Sequence, residues 1–335
     1  MAAYKGIKGF TVQNLASDPT TADSVGQFYF NSTSNTFKYV QPGGAAVGTW
    51  ASGGNLNTAR ADLQGAGTQS AALAFGADPI PTRAQTESYN GSSWTEVADL
   101  NTGRYFGAGS GTQTSAIYAG NSDGPTYNQV ESWNGSSWSE IAEINTGRGA
   151  NAMAGTDNTS VITFAGQSPV SPSGQKVQTE IWNGSGWTEV GDLNLARHVP
   201  FGTGSVTLAL CVGGNAPSTG GYTANTELWN GSAWTEVNNL NTARGRGGAA
   251  GTTSKGLVFG GTNGPSVQAV TESWDGTSWT EVADLANDRY GGSGTPGTAG
   301  SADATLYAGG NAPGFTNATE EFTAPDVVIK TVTTS

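Results

Sequence analysis

An arginine returns at positions 60, 104, 148, 197, 244 and 289, at intervals of 44, 44, 49, 47 and 45 residues. Each closes a version of one phrase: an aromatic residue, Asn-Gly or a near match, a tryptophan, then a short polar run. The clearest copy is Trp133-Asn134-Gly135-Ser136-Ser137-Trp138, ending at Arg148. A unit of this length cannot bury its own apolar face and has to stack on copies of itself. The period therefore overrides the two or three domains that 335 residues would otherwise suggest. It predicts one repeat array, residues 46–335, behind a short non-repeating segment, residues 1–45.

The copy from Arg244 to Arg289 reads as four strands. A Gly-rich stretch, 245–251, is followed by the apolar run Leu257-Val258-Phe259, a loop, the strand Val270-Thr271-Glu272-Ser273-Trp274, and an Asp275-Gly276 turn into Trp279. Asn-Gly and Asp-Gly tolerate the positive φ of tight turns, so each unit ends in a hairpin with a large aromatic on both strands. Continuous apolar runs suit strands covered on both faces, and 51 glycines without a triplet period point to many turns in an all-β chain. Trp94, Trp138, Trp187, Trp234 and Trp279, with the six arginines Arg60, Arg104, Arg148, Arg197, Arg244 and Arg289, form the structural repeat.

The order of arginine, apolar strand, Gly-Gly, aromatic, short turn and Trp resembles the kelch repeat over roughly residues 50 to 322, with the full glycine doublet at Gly213-Gly214, Gly260-Gly261 and Gly309-Gly310. The resemblance implies a kelch-like β-propeller of six four-stranded blades. The alternative is seven, the extra one built from Gln27–Phe30 and Thr36–Val40. The sixth copy ends at Phe322 without a following Trp strand, and two segments compete for that vacant edge: Gly48-Thr49-Trp50 and Val327–Val332. Gly26–Tyr39 resembles a segment of bacteriophage tail-fibre and other virion proteins, as the Asn-Gly-Ser-rich repeats resemble those of marine phage structural proteins. Its aromatics Phe28, Tyr29, Phe30, Phe37 and Tyr39 are the implied attachment residues.

Chemistry is sparse. With one His and one Cys a zinc site has no ligand set, and Cys211 in Leu208–Val212 reads as a buried small hydrophobe. His198 occupies a position held by Tyr105, Gly149, Gly245 and Tyr290 in sister copies, which reads as a local surface choice rather than a catalytic base. Glu87, Glu131, Glu180, Glu227, Glu272 and Glu320 recur with the arginines, so they read as repeated structural ion pairs. No catalytic residue, cofactor or metal is expected. A net charge of −12 argues against nucleic acid and anionic lipid as partners, and the N-terminus lacks a signal-peptide core, so synthesis in a host cytoplasm is expected.

What varies is the loop after each apolar strand, where Tyr127, Pro169, Tyr222, Pro265 and Phe315 stand out as binding candidates on one face. The reading that joins these observations is a non-enzymatic virion protein, as capsid decoration or tail-fibre head. Its N-terminal segment contacts other virion proteins, its loop face meets a host glycan or protein, and it occurs in multiple copies or as a symmetric oligomer. A glycan-binding or glycan-degrading propeller and a cellular kelch-type interaction module are the alternatives.

Overall fold

The computed structural model describes residues 12–19, 26–42, 47–122, 127–168, 174–295, 300–325 and 327–332. The chain is all-β: among these residues the only helical turns are 3-10 turns at Thr82–Ala84 and Pro217–Thr219. It divides into two compact units, Met1–Thr49 with Ala324–Ser335, and Trp50–Thr323. The compact unit of the repeats thus ends at Thr323.

The first unit holds a four-stranded sheet ordered Gln13–Leu15, Phe28–Asn31, Thr36–Pro42, Val327–Thr331. Gln13–Leu15 runs parallel to Phe28–Asn31, and the other pairs are antiparallel. Alternation places Tyr29 inward, where its hydroxyl donates to Asp18 at 2.8 Å, and leaves Phe28 58% exposed against Tyr39, ring centroids 4.6 Å apart. Phe30 meets Phe37 edge-on at 5.2 Å. Lys38 pairs with Asp18 at 2.6 Å and holds that carboxyl below its ordinary range.

The second unit carries six repeat sheets in chain order. The first comprises Gln64–Thr68, Ala71–Phe75, Thr86–Tyr89 and Trp94–Glu96, all antiparallel, and the next four repeat this pattern through Trp279–Glu281. In each hairpin the two aromatics face one another across the ladder, as Trp133 faces Trp138. The turn between them is held by Asn134 Oδ1, which accepts from the N–H groups of Ser136 (2.9 Å) and Ser137 (3.0 Å). In the sixth sheet Thr49–Ser52 joins Ala304–Ala308 and Thr319–Thr323, so the N-terminal candidate takes the vacant edge. The other candidate, Val327–Thr331, pairs with Thr36–Pro42 instead, Ile329 opposite Val40.

Packing follows the chain order. The Gly- and Ala-rich first strands lie side by side, from Gln64–Thr68 to Ala108–Thr112, Ala152–Asp157, Phe201–Gly204 and Gly248–Gly251. Glycine is required at so close an approach: a Cβ on Gly109 would stand 2.7 Å from the Phe75 ring of the preceding sheet. Apolar clusters fill the gaps between consecutive sheets, for example Leu73, Phe75, Tyr118, Trp133 and Trp138 between the first and second. The first and sixth sheets share such a cluster, joining Leu73's neighbours Ala72 and Ala74 with Trp94, Leu306 and Ala308. Each large aromatic buries about 150–250 Å², roughly 4–6 kcal/mol at ~25 cal/mol/Å². Indole N–H groups add hydrogen bonds from sheet to sheet: Trp138 to Thr86 (3.0 Å), Trp234 to Thr179 (2.9 Å), Trp50 to Thr271 (3.1 Å) and Trp94 to Thr319 (3.1 Å).

Candidate functional site

The repeated charges are spent inside the sheets. All six arginines are fully buried, and each meets the glutamate of its repeat: Arg60–Glu87, Arg104–Glu131 and Arg289–Glu320 at 3.0 Å, Arg197–Glu227 at 2.7 Å, with Arg148–Glu180 and Arg244–Glu272 also in contact. In five copies the second carboxylate oxygen accepts from an asparagine three residues before the arginine, as from Asn57 through its backbone N–H (2.8 Å) and its Nδ2 (2.7 Å). Asn-x-x-Arg is thus a clamp on one glutamate, and it ties a connecting segment to the third strand of the next sheet. Burial lowers the guanidinium pKa of Arg60, Arg148 and Arg244, opposed by the paired carboxylate. Nothing in this arrangement faces a ligand. Cys211 is likewise buried, its thiol pushed up to about 12 by desolvation.

Two residues beyond each arginine the repetition stops. Asp62, Phe106, Ala150, Val199, Arg246 and Gly291 occupy equivalent places, all with left-handed φ between 48° and 67°. Their backbones form a circuit in which each N–H donates to the carbonyl of the preceding member. Arg246 donates to Val199 (2.9 Å), Gly291 to Arg246 (2.7 Å), Asp62 to Gly291 (2.6 Å), and the circuit runs on through Phe106, Ala150 and Val199. The left-handed geometry turns each N–H toward its neighbour, at a strain cost of about 1–2 kcal/mol for a residue bearing a Cβ.

A second set lies beside it. The residue after each arginine, Ala61, Tyr105, Gly149, His198, Gly245 or Tyr290, accepts a backbone hydrogen bond from Asp78, Ser122, Gln167, Asn215, Thr262 or Asn311 respectively, at 2.7–3.2 Å. All six donors in this set have polar side chains, and each opens a variable loop. The side chains of Gln167 and Asn215, both half-buried, make no hydrogen bond among the described residues.

Asp62 and Arg246 join across Gly291. Arg246 donates from Nε at 2.9 Å and from Nη2 at 2.7 Å to the two Asp62 oxygens, and a Cβ on Gly291 would stand 2.6 Å from Asp62 Oδ1. The guanidinium carbon lies 4.5 Å from the Phe106 ring and 4.5 Å from the Tyr290 ring. The stack continues from Phe106 to Tyr105 (5.4 Å) and from Tyr105 to Arg83 (4.4 Å). Burial raises the Asp62 carboxyl above its ordinary value, against the pull of Arg246. Burial also opposes the Arg246 cation, yet Asp62 more than offsets it and that pKa is raised. His198 is lowered by burial, with the Arg246 charge adding to the effect, so it is neutral at pH 7. The circuit borders a cavity of about 80 Å³ lined by the first strands, including Gln64, Gly65, Gly107, Met153 and Gly202. Small-molecule sites occupy roughly 300–1,000 Å³, so this space admits water and its mouth is the part that can meet a ligand.

Of the loop residues singled out in the sequence, Tyr222 comes closest to this mouth. Its short strand, Gly221–Tyr222, pairs with Asn215–Ala216, and Arg246 and Tyr290 both influence its hydroxyl. Pro265 is exposed in the neighbouring loop, where a Cβ on Gly264 would stand 3.6 Å from the Tyr222 ring. Phe315 is 42% exposed and bridges Asn311, itself bridged to Tyr290. Tyr127 packs against Gly147, and its carbonyl accepts from the Arg148 N–H at 3.0 Å. Pro169 lies outside the described residues. Sequence reading passed over Asp62, Phe106 and Arg246 and set His198 aside. A signal was available: two positions past an invariant arginine, six copies carry six different residue types.

No protein-family model matches this chain. No curated protein matches it either.

Proposed function

We propose that Trp50–Thr323 is a six-bladed β-propeller and that the chain is a non-enzymatic structural protein of a bacteriophage particle, a capsid decoration or tail-fibre head. In this reading the N-terminal segment engages other virion proteins and the loop face meets a host-surface glycan or protein. Several contacts support six blades: the six-membered backbone circuit, the Trp94–Thr319 hydrogen bond and the cluster shared by the first and sixth sheets. The observation that carries the functional reading is the contrast within each repeat. The charges that recur are buried in ion pairs, whereas the six residues of the backbone circuit differ in every copy. Scaffold constancy with local diversity on one face suits recognition.

A depolymerase reading needs two carboxylates placed about a glycosidic bond. At the mouth Asp62 gives both oxygens to Arg246, and Asp78 lies 3.4 Å from Arg83, which favours binding over hydrolysis. Peptide mass spectrometry of gradient-purified particles tests the virion assignment. The chain is expected in stoichiometric amount in particles; its restriction to the soluble lysate would overturn the proposal.

A further inference from the structure

We infer that the mouth bounded by Asp62, Arg246, Tyr290, Tyr222 and Asn215 is a binding site for the end of a neutral saccharide. The inference deepens the reading of the loop face as a recognition surface and rests on it.

The repeats supply their own substitution series. Ala150, Val199 and Gly291 complete the backbone circuit with no polar side chain, so closure of the circuit does not call for Asp62 or Arg246. These two residues are also the only charged members of the six, and they stand together rather than apart. The charges are therefore not needed to close the circuit and are available for recognition. With Nε and Nη2 engaged by Asp62, Arg246 keeps Nη1 without a partner among the described residues, on a side chain 27% exposed. Carboxylate oxygens beside it retain lone pairs. A donor and an acceptor side by side match vicinal hydroxyls, each of which both donates and accepts.

The remaining groups fit the same ligand. Half-buried Tyr222 offers its ring to the C–H face of a pyranose, beside Tyr290, whose ring packs on the Arg246 guanidinium. Asn215, opposite Tyr222 in the short ladder, carries an amide with unused hydrogen-bonding capacity, which a further hydroxyl satisfies. A cavity of about 80 Å³ is too small to engulf a sugar ring, so the saccharide is held by its end across the mouth. Charge selects the neutral class: Asp62 cancels Arg246, His198 is neutral, and the whole chain carries −12, which repels polyanions.

The test uses the purified full chain on an array of neutral and acidic oligosaccharides, with calorimetric titration of the best neutral hit. Tyr222→Ala and Asn215→Ala are each expected to weaken that hit by about tenfold or more, the effect of a lost stacking face or a lost hydrogen bond to a buried group. Their melting temperatures should stay at the wild-type value, and Thr95→Ala, on an exposed fourth strand, should bind as wild type does. Absence of any neutral hit, preference for acidic glycans alone, or full affinity in both mouth variants would overturn the inference. Detection in particles is read separately, so a virion protein without glycan binding refutes this site and leaves the proposed function standing.

Discussion

Arg60 and Asp62 are two residues apart, and the circles they belong to follow opposite rules. In the first circle six arginines are identical, buried and paired with six identical glutamates. In the second, aspartate, phenylalanine, alanine, valine, arginine and glycine share one backbone conformation and one hydrogen-bonding pattern. Where the side chain does the structural task, its identity is fixed. Where the backbone does it, the side chain is released for another use. The mouth of the second circle is thus the place where this molecule can carry specificity without disturbing its scaffold.

The largest expected break of this contrast is Arg148→Met. It strands Glu180 without its cation in a dry site, and removal of one partner of a buried pair typically costs about 3–5 kcal/mol. A melting temperature unchanged from wild type would refute a structural role for the repeated pair. In the second circle, Arg246→Gln at pH 7 should cost less, about 1–3 kcal/mol, because Asp62 can relieve its unpaired burial by taking up a proton.

That difference has a pH signature. Burial already holds the folded-state carboxyl of Asp62 above the ordinary value of 3.8. A raised folded pKa favours the folded state at low pH, and this contribution is lost as pH rises through the folded value. Loss of Arg246 removes the opposing pull and widens that window. The stability gap between wild type and Arg246→Gln, read by urea denaturation, should therefore shrink on acidification from pH 7 toward pH 4. A gap that grows would reverse the assignment.

Removing both charges sharpens the comparison further. The double variant Asp62→Ala, Arg246→Ala leaves no unpaired charge in the second circle, and its cost should fall below about 1 kcal/mol, less than that of Arg246→Gln alone. The smallest effect has the opposite sign. Ala150→Gly relieves a left-handed alanine at φ 55° and should stabilise by about 0.5–1 kcal/mol, as a small rise in melting temperature.

The repeated half of the structure was legible in the sequence because the same physical problem is solved six times. Glu131 and Arg104 point to one another only when read beside Glu87 and Arg60, Glu180 and Arg148. The vacant edge of the sixth sheet was also legible, since Gly48-Thr49-Trp50 matches the missing strand in kind. The partner of Val327–Thr331 was not, because a β-branched run fits any open edge and the strand Thr36–Pro42 has no counterpart among the repeats. Positive φ at Phe106 and Val199 leaves no mark in residue type, whereas Gly291 would have been an ordinary guess. The pairing of Asp62 with Arg246, 184 residues apart, depends on that hidden conformation and on nothing periodic.

The edge strand Thr49–Ser52 carries a timing constraint. Its partner, Thr319–Thr323, emerges from the ribosome roughly 15–55 s later at ordinary synthesis rates of about 5–20 residues per second. Throughout that interval the earliest strand of the array waits with an open flank while five sheets accumulate behind it. Nascent chains are therefore vulnerable to swapping this strand with a neighbour on the same polysome, and expression at lower density of translating ribosomes should favour monomeric closure over exchanged multimers.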